Sequence, residues 1–550
     1  MKIFTQKFLL IVIITFTVQI HSQINTGFNK SFQSINGDSI LKHLIYLASD
    51  ELEGRGIGSR GINLAANYIA KKFNEYRLKK NPVTDNYFQE IPFVGSTTLN
   101  SSEFKVFNGN FVSHLEHSKD YFLFKSGQQT FRPVPTELVF VGYGIAATEY
   151  DYNDYQSIDV TGKIVVFLDN EPLSDDSEFF NGKEFTHYSF AAVKIQTALR
   201  RGAAGTILIP FERYSDWASV KKDFEKEDIR LAYDLTSNLN VIMNPESAKL
   251  LFNDSDYSLD EIFEMHRTQR MKSFPLKSKI SFKGFFKERA FSDKNVIGVL
   301  PGSDDKLKDS YLIISAHYDH LGIGVPVEND SIYNGALDNA IGVSVLIELA
   351  RAFSDLDPKP KRTIVFISLT AEEHGLLGSI YYTDNPLFPL YKTIANVNID
   401  GIAFFRDFES IIGIGSELSS LEKDLIETAE RYQLEVEKIP KEFKSLSSFT
   451  NSDQYVFASI GIPAILIAEG LKNKSRSREE VLHSFCEYFE YRYHTPFDDL
   501  NQFIDEIAAE RHAKILFDFC YHVANSQLSP EWKPNSPFIK ARLRSIAEKK

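Results

Sequence analysis

His317, Asp338, the pair Glu372-Glu373 and Asp400 each stand at or just beyond the end of an apolar run, and His494 follows in "RYHTPFDD". Two imidazoles and three carboxylates form a mixed nitrogen and oxygen donor set that suits zinc, with cobalt or manganese as exchange alternatives. A carboxylate shared between two such ions would hold them about 3.5 Å apart, the spacing of paired-metal hydrolytic sites. Asp319, within "HYDH", is placed to accept the second ring hydrogen of His317 and fix its tautomer. No His-Glu-x-x-His, Gly-x-Ser-x-Gly or P-loop stretch occurs, which removes the commonest rival hydrolase and nucleotide chemistries.

Each residue also has a plainer role open to it. Asp338 follows a "NGAL" turn at the start of a helical pattern, so it could cap that helix as well as bridge cations. Glu372 and Glu373 follow "TIVFISLTA", and neighbouring side chains in extended backbone point opposite ways, so they cannot share one task. One could bind a metal while the other takes a proton from water, or both could belong to a solvated element end. Asp400 ends a buried apolar run, where a cation or the amides of the Gly401 turn must compensate it. His494 could be a satisfied surface or core group.

The elements that would carry these residues are strands and helices in alternation. "YLIISA" at 311–316, "TIVFISL" at 363–369, "TIANVNI" at 393–399 and "PAILIA" at 463–468 are near-continuous apolar strands. Helices are expected over 339–353, 418–432 and 504–524. The expected fold class is therefore α/β, with a mostly parallel, mixed central sheet flanked by helices, and ligands gather at strand carboxyl ends in such folds. Two further helices are expected between Ile40 and Tyr76, joined by the Gly-rich "ELEGRGIGSRG". Short strands should follow Asn81-Pro82, then a loop up to Pro133 and Pro135. A separate α/β unit with no clustered ligand set is expected over about 131–250.

The 550 residues are 43% hydrophobic, enough for more than one domain. Lys2 and Lys7 precede an acid-free apolar run from Phe8 to Ile20, the pattern of a signal peptide cleaved after Ser22. The expected location is periplasmic or extracellular, with no stable membrane partner. Loss of that segment would move the net charge from -13 to -15, and an acidic chain without a basic block argues against a nucleic-acid partner. Cys486 and Cys520 could pair or remain free thiols.

"LASDELEGRGIGSRG", "NVIGVLPG", "ISAHYDHLG", "NGALDNAIGVSVLIELAR", "TAEEHGLLGS", "NVNIDGI", "GIPAI" and "YHTPFDD" together resemble the M28 family of zinc aminopeptidases and carboxypeptidases. "VFVGYGI", "DVTGKIVV" and "RGAAGTIL" resemble the protease-associated (PA) domain carried by secreted members. The resemblance implies the zinc-exopeptidase fold with an inserted β-rich PA domain. It implies a signal peptide at 1–22, peptidase segments at 23–130 and 251–528, the PA domain at 131–250 and a tail at 529–550. It implies two Zn2+ ions, one at His317 and Asp400 and the other at Glu373 and His494, with Asp338 bridging. Glu372 would be the general base and Tyr493 the group that steadies the oxyanion. The implied activity is a peptidase releasing amino-terminal residues from peptides, with a carboxypeptidase, a dipeptidase or a non-catalytic binding protein as alternatives. One departure bears on substrate recognition, and one further residue bears on the carboxypeptidase alternative. Gln454 stands where many relatives have His, and Arg406 in "FFRDF" is the candidate partner for a substrate carboxylate.

Overall fold

The computed structural model describes residues 26–547, apart from 177–178, 181, 183–185, 212–215, 235–236, 441–442 and 444–448. The expected signal peptide at 1–22 lies outside the described residues. Two compact units divide the chain, one holding the residues up to Ile91 and most of the chain from Ser292 onward, the other running Pro92–Phe291.

After helical residues 26–34, the first unit has helices α1 (Gly37–Leu47) and α2 (Arg60–Glu75). Asn36 and Ser59 start them by accepting the N–H groups of Ser39 and Ile62. In α2 the buried residues Ile62, Ala65, Ala66, Ile69 and Phe73 recur every three or four positions and form one apolar face. Then come β1 (Phe286–Leu300), β2 (Tyr311–His317), α3 (Ile341–Asp355), β3 (Thr363–Leu369), α4 (Leu377–Asp384) and β4 (Thr393–Asn398). The unit continues with β5 (Ser410–Ile414), α5 (Leu421–Arg431), β6 (Glu435–Glu437), α6 (Gln454–Ser459), β7 (Ala464–Glu469), α7 (Arg478–Glu487) and α8 (Glu506–Asn525).

Seven strands of a nine-stranded sheet follow one another in the order β1-β3-β2-β4-β7-β5-β6. The inner four strands β3, β2, β4 and β7 are parallel, while β1 joins β3 and β5 joins β7 antiparallel. Every residue of β3 and β4 is buried, as a sheet covered on both faces requires. Leu312 and Ile314 of β2 share a core with Ile40 and Leu44 of α1, Ile69 and Phe73 of α2, Leu346 of α3 and Leu516 of α8. The alternating residue Ile313 faces the other way, toward Tyr382 of α4, Phe457 of α6 and the tail residues Trp532 and Phe538. The tail beyond Ser529 thus closes one face of the sheet.

The second unit has its own eight-stranded sheet, in which Ile164–Leu168, Gly205–Ile209 and Leu239–Met243 run parallel at the centre. Its apolar clusters are built from residues of that unit alone. It is wider than the 131–250 stretch expected from sequence, because Glu103–Asn108 and Ser273–Lys283 pair into the same sheet. Pro133 and Pro135 do not end a loop. They lie within the strand Phe131–Val141, whose pairing with Ser273–Lys283 is interrupted by irregularities that tolerate residues without an N–H.

Candidate metal centre

The carboxyl ends of the parallel strands converge on one place. His317 is the last residue of β2, Glu372 and Glu373 follow β3, Asp400 follows β4, and His494 comes from the turn after α7.

Asp338 is the residue on which the others meet. It does not cap α3, whose N-cap residue is Ala340. It lies in a single wide turn, Ala336–Ala340, just before the helix, with extended backbone (φ -119°, ψ 88°). Asn339 takes the helix-start role instead: its Oδ1 accepts from Gly342 and Gly401, and its Nδ2 donates to Ile399. One side chain therefore ties the Asp338 turn to the Asp400 turn. Asp498 holds the same turn from the other side by accepting the N–H groups of Leu337 and Asp338, each at 3.0 Å. Gly335 has φ 57°, and a Cβ there would lie 2.1 Å from the Asp338 carbonyl oxygen and 2.5 Å from His320 Cγ, so only glycine fits.

The two oxygens of Asp338 face different histidines. Oδ1 lies 3.3 Å from His317 Nε2, which is also 3.3 Å from Asp400 Oδ1. Oδ2 lies 3.3 Å from His494 Nε2, which is 3.1 Å from Glu373 Oε2. For bonds of about 2.0–2.1 Å to zinc, the edge of a tetrahedron is about 3.3 Å, so each group has the spacing of ligands around one ion. Asp338 Oδ2 and His494 Nε2 are buried without a hydrogen-bond partner despite this proximity. Donors gathered at coordination distance but not aimed at one another fit a shared cation. Two groups of side chains that could each hold an ion thus share Asp338, one of His317, Asp338 and Asp400 and the other of His320, Asp338 and Glu373, with His494 beside the second.

Electrostatics point the same way. Burial raises the Asp338 carboxyl and Glu373 adds to that, yet His317 and His494 outweigh both and hold it below the usual carboxylate range. Burial likewise opposes the charge on Glu373, and His494 and His320 overcome it. Burial works against the imidazolium of His494, but Glu373 and Asp338 lift it to about 10. The carboxylates thus favour positive charge at His317 and His494, as they would favour a divalent cation. Glu372 differs. Although the residue as a whole is half-buried, its carboxyl is enclosed, and burial, with Glu373 and Asp400 acting against His317, holds it well above the usual range. A carboxyl poised to carry a proton is suited to acid–base work.

Asp319 sits differently from expectation. Its carboxylate accepts the N–H groups of Glu372 (3.1 Å) and Glu373 (3.2 Å), fixing that turn. His317 Nδ1 is 3.3 Å from the Asp319 main-chain oxygen and 3.7 Å from its carboxylate. Tyr493 stacks on the His494 ring with centroids 3.8 Å apart. Burial and the surrounding carboxylates, Asp338 foremost, keep its phenol protonated and so a donor. Gln454 and Arg406 are not gathered with these groups. Gln454 is fully buried, accepting from Asn398 Nδ2 at 2.8 Å and donating to the Phe449 carbonyl. Arg406 is committed to Asp505, the cap of α8, at 2.8 Å.

Three neighbours went unassigned in the sequence. His320 places Nδ1 2.7 Å from Glu373 Oε1, and its signal was the second histidine of "HYDH". Asp453 is fully buried, neither oxygen has a hydrogen-bond partner, and burial lifts its carboxyl to about 7. Asp498 was the first acid of "FDD". Cys486 is exposed and Cys520 buried, both as free thiols.

Residues 295–520 match the model of peptidase family M28. The likeness to that family is carried by this part of the chain. The chain is 30% identical over 174 residues to the aminopeptidase NAALADL1 of Rattus norvegicus, covering 31% of this chain and 21% of that protein. It is 34% identical over 114 residues to a glutamate carboxypeptidase 2 homolog of Caenorhabditis elegans, covering 20% and 13%. The matched stretch thus spans about a fifth or less of these relatives' length. In fold, the chain resembles the aminopeptidase from Aneurinibacillus sp. strain AM-1, with a TM-score of 0.50 at 20% identity over 92% of this chain and 97% of that one. All five expected ligands lie within the matched residues 295–520.

Proposed function

We propose that the chain is a di-zinc exopeptidase that removes residues from the amino terminus of peptides. The observation that carries this reading is the single carboxylate of Asp338 facing a His-carboxylate pair with each of its oxygens. In this reading His317, Asp338 and Asp400 hold one zinc, and Asp338, Glu373 and His494 hold the other. Zinc at these donors polarises a peptide carbonyl and acidifies water.

The protein's own groups then divide the remaining work. Glu372 takes the proton from the attacking water and returns it to the leaving amine, a transfer its raised carboxyl supports. Tyr493 donates its phenolic hydrogen to the oxyanion. Asp319 keeps Glu372 and Glu373 apart in their two tasks by anchoring both their amides. A free substrate amine is a cation and suits a cleft this rich in carboxylates. A carboxypeptidase would need an unpaired cation facing the substrate carboxylate, and Arg406 is already paired with Asp505. The β-rich unit Pro92–Phe291 is read as a PA domain, and the enzyme as exported. Among the described residues no helix is long and apolar enough to cross a membrane.

Amino-acid nitroanilides and dipeptides, free or blocked at the amino terminus, test the reading when assayed with chelator and with zinc restored. The free substrates should be hydrolysed and the blocked ones spared, with activity lost to chelator and regained with zinc. Equal cleavage of blocked substrates would refute the aminopeptidase reading, and indifference to chelator would refute the metal.

A further inference from the structure

Arg55, in the Gly-rich turn between α1 and α2, is almost wholly buried, with 1% of its surface exposed. Its guanidinium spends its donors on main-chain oxygens from three separate segments. Nη1 reaches Leu47 at 2.5 Å and Asn334 at 2.6 Å, Nε reaches Tyr318 at 2.8 Å, and Nη2 reaches Gly335 at 2.9 Å. Its own carbonyl accepts the N–H of His320 at 3.3 Å. Tyr318 directly follows the ligand His317, and Gly335 opens the turn that presents Asp338.

The turn is packed closely enough to transmit this grip. A Cβ on Gly54 would lie 2.4 Å from the Tyr333 carbonyl oxygen and 2.6 Å from that of Gly322. Asn334 returns the contact by donating to Ala48 and Asp50. Arg55 lies outside residues 295–520, so the contact reaches the candidate ligands from a part of the chain that the family model does not cover. Among the described residues no carboxylate forms an ion pair with it. The acids offsetting its charge are Asp498, Asp319, Asp338 and Glu373, those of the metal centre, and against their pull burial lowers the guanidinium to about 10, leaving it cationic at neutral pH.

We propose that Arg55 is a positioning residue of the metal centre, setting the main chain on either side of it so that His317 and Asp338 keep coordination spacing. This rests on the reading of those residues as zinc ligands. Metal donors tolerate errors of only about 0.2 Å, and loss of an outer contact typically weakens a metal about 10–100-fold. Lysine keeps the charge but cannot span three segments with one nitrogen, and glutamine keeps part of the hydrogen bonding without charge.

The test measures zinc affinity by competition with a chelating dye, and the visible spectrum of the cobalt-loaded protein, for Arg55→Lys and Arg55→Gln. Ile69→Ala, buried in α2 away from the ligands, serves as a comparison of matched thermal stability. Either folded Arg55 variant should bind zinc at least about tenfold more weakly and show an altered cobalt spectrum, with Ile69→Ala unchanged in both. Native zinc affinity and spectrum in a folded Arg55 variant would overturn the proposal, as would an equal loss in Ile69→Ala. A native protein that takes up no zinc overturns the ligand reading and this inference together. One that binds zinc but hydrolyses no peptide overturns only the peptidase reading, and the zinc comparison still decides the role of Arg55.

Discussion

Glu372 and Asp338 should fail in different ways when altered. Glu372→Gln keeps every metal donor and removes only the proton carrier, so kcat should fall by about 10²–10⁴-fold while elemental analysis still finds two zinc ions. Asp338→Ala removes the donor shared by both clusters, so zinc content and activity should fall together. A Gln variant turning over at the native rate would refute the base assignment. His317, Asp338, Glu373 and Asp400, which the structure gathers around shared positions, could be singled out in sequence because a carboxylate or imidazole ending an apolar run needs compensation, and few partners supply it. Asn339, Asp498 and His320 could not be read that way. Their roles depend on contacts with Gly401, Leu337 and Glu373, residues 53 to 161 positions away in the chain.

The strand ends carry more than the ligands. Glu469 ends β7, its Oε2 accepts the Phe404 N–H at 2.6 Å, its Oε1 is buried without a partner, and burial lifts its carboxyl to about 8. In the unfolded chain it ionises near its ordinary value, so between about pH 4.5 and 8 the folded state alone retains the proton. Stability should therefore fall across that window by about 1.4 kcal/mol per pH unit for this group. Glu469→Gln should melt like the native protein near pH 4.5 and above it at pH 8, and parallel melting curves across the window would exclude this effect. The long elements were legible in sequence: β2, β3, β4 and β7 are buried on both faces and read as unbroken apolar runs. Helices α4 and α7 were not. In α4 the residue before the helix has positive φ and no capping bond, and in α7 only Val481 is buried, so no apolar stripe marks it. The Ser477–Glu480 capping box was the signal available for α7.

At the scale of the whole molecule, two compact units with apolar clusters of their own imply two unfolding events, and only the first unit carries the candidate metal ligands. Zinc at about 100 times its dissociation constant should add about 2.7 kcal/mol to that unit alone. Calorimetry with and without chelator should move one transition and leave the other in place, whereas two transitions moving together would show the units to be coupled in stability. Sequence marked the second unit by its α/β alternation but drew it too short, since the strands that complete its sheet come from outside the alternating stretch. The cover that α1 and α2 provide for the central sheet has its own consequence. Ile40, Leu44, Ile69 and Phe73 rest on Leu312, Ile314 and Phe366, so a protein cut to begin at Asn295 would bare an oily wall that no remaining segment could hide. Residues 295–520, which match the family model, are therefore fewer than the smallest piece expected to fold, and trimming the chain to them should yield aggregate instead of a folded protein.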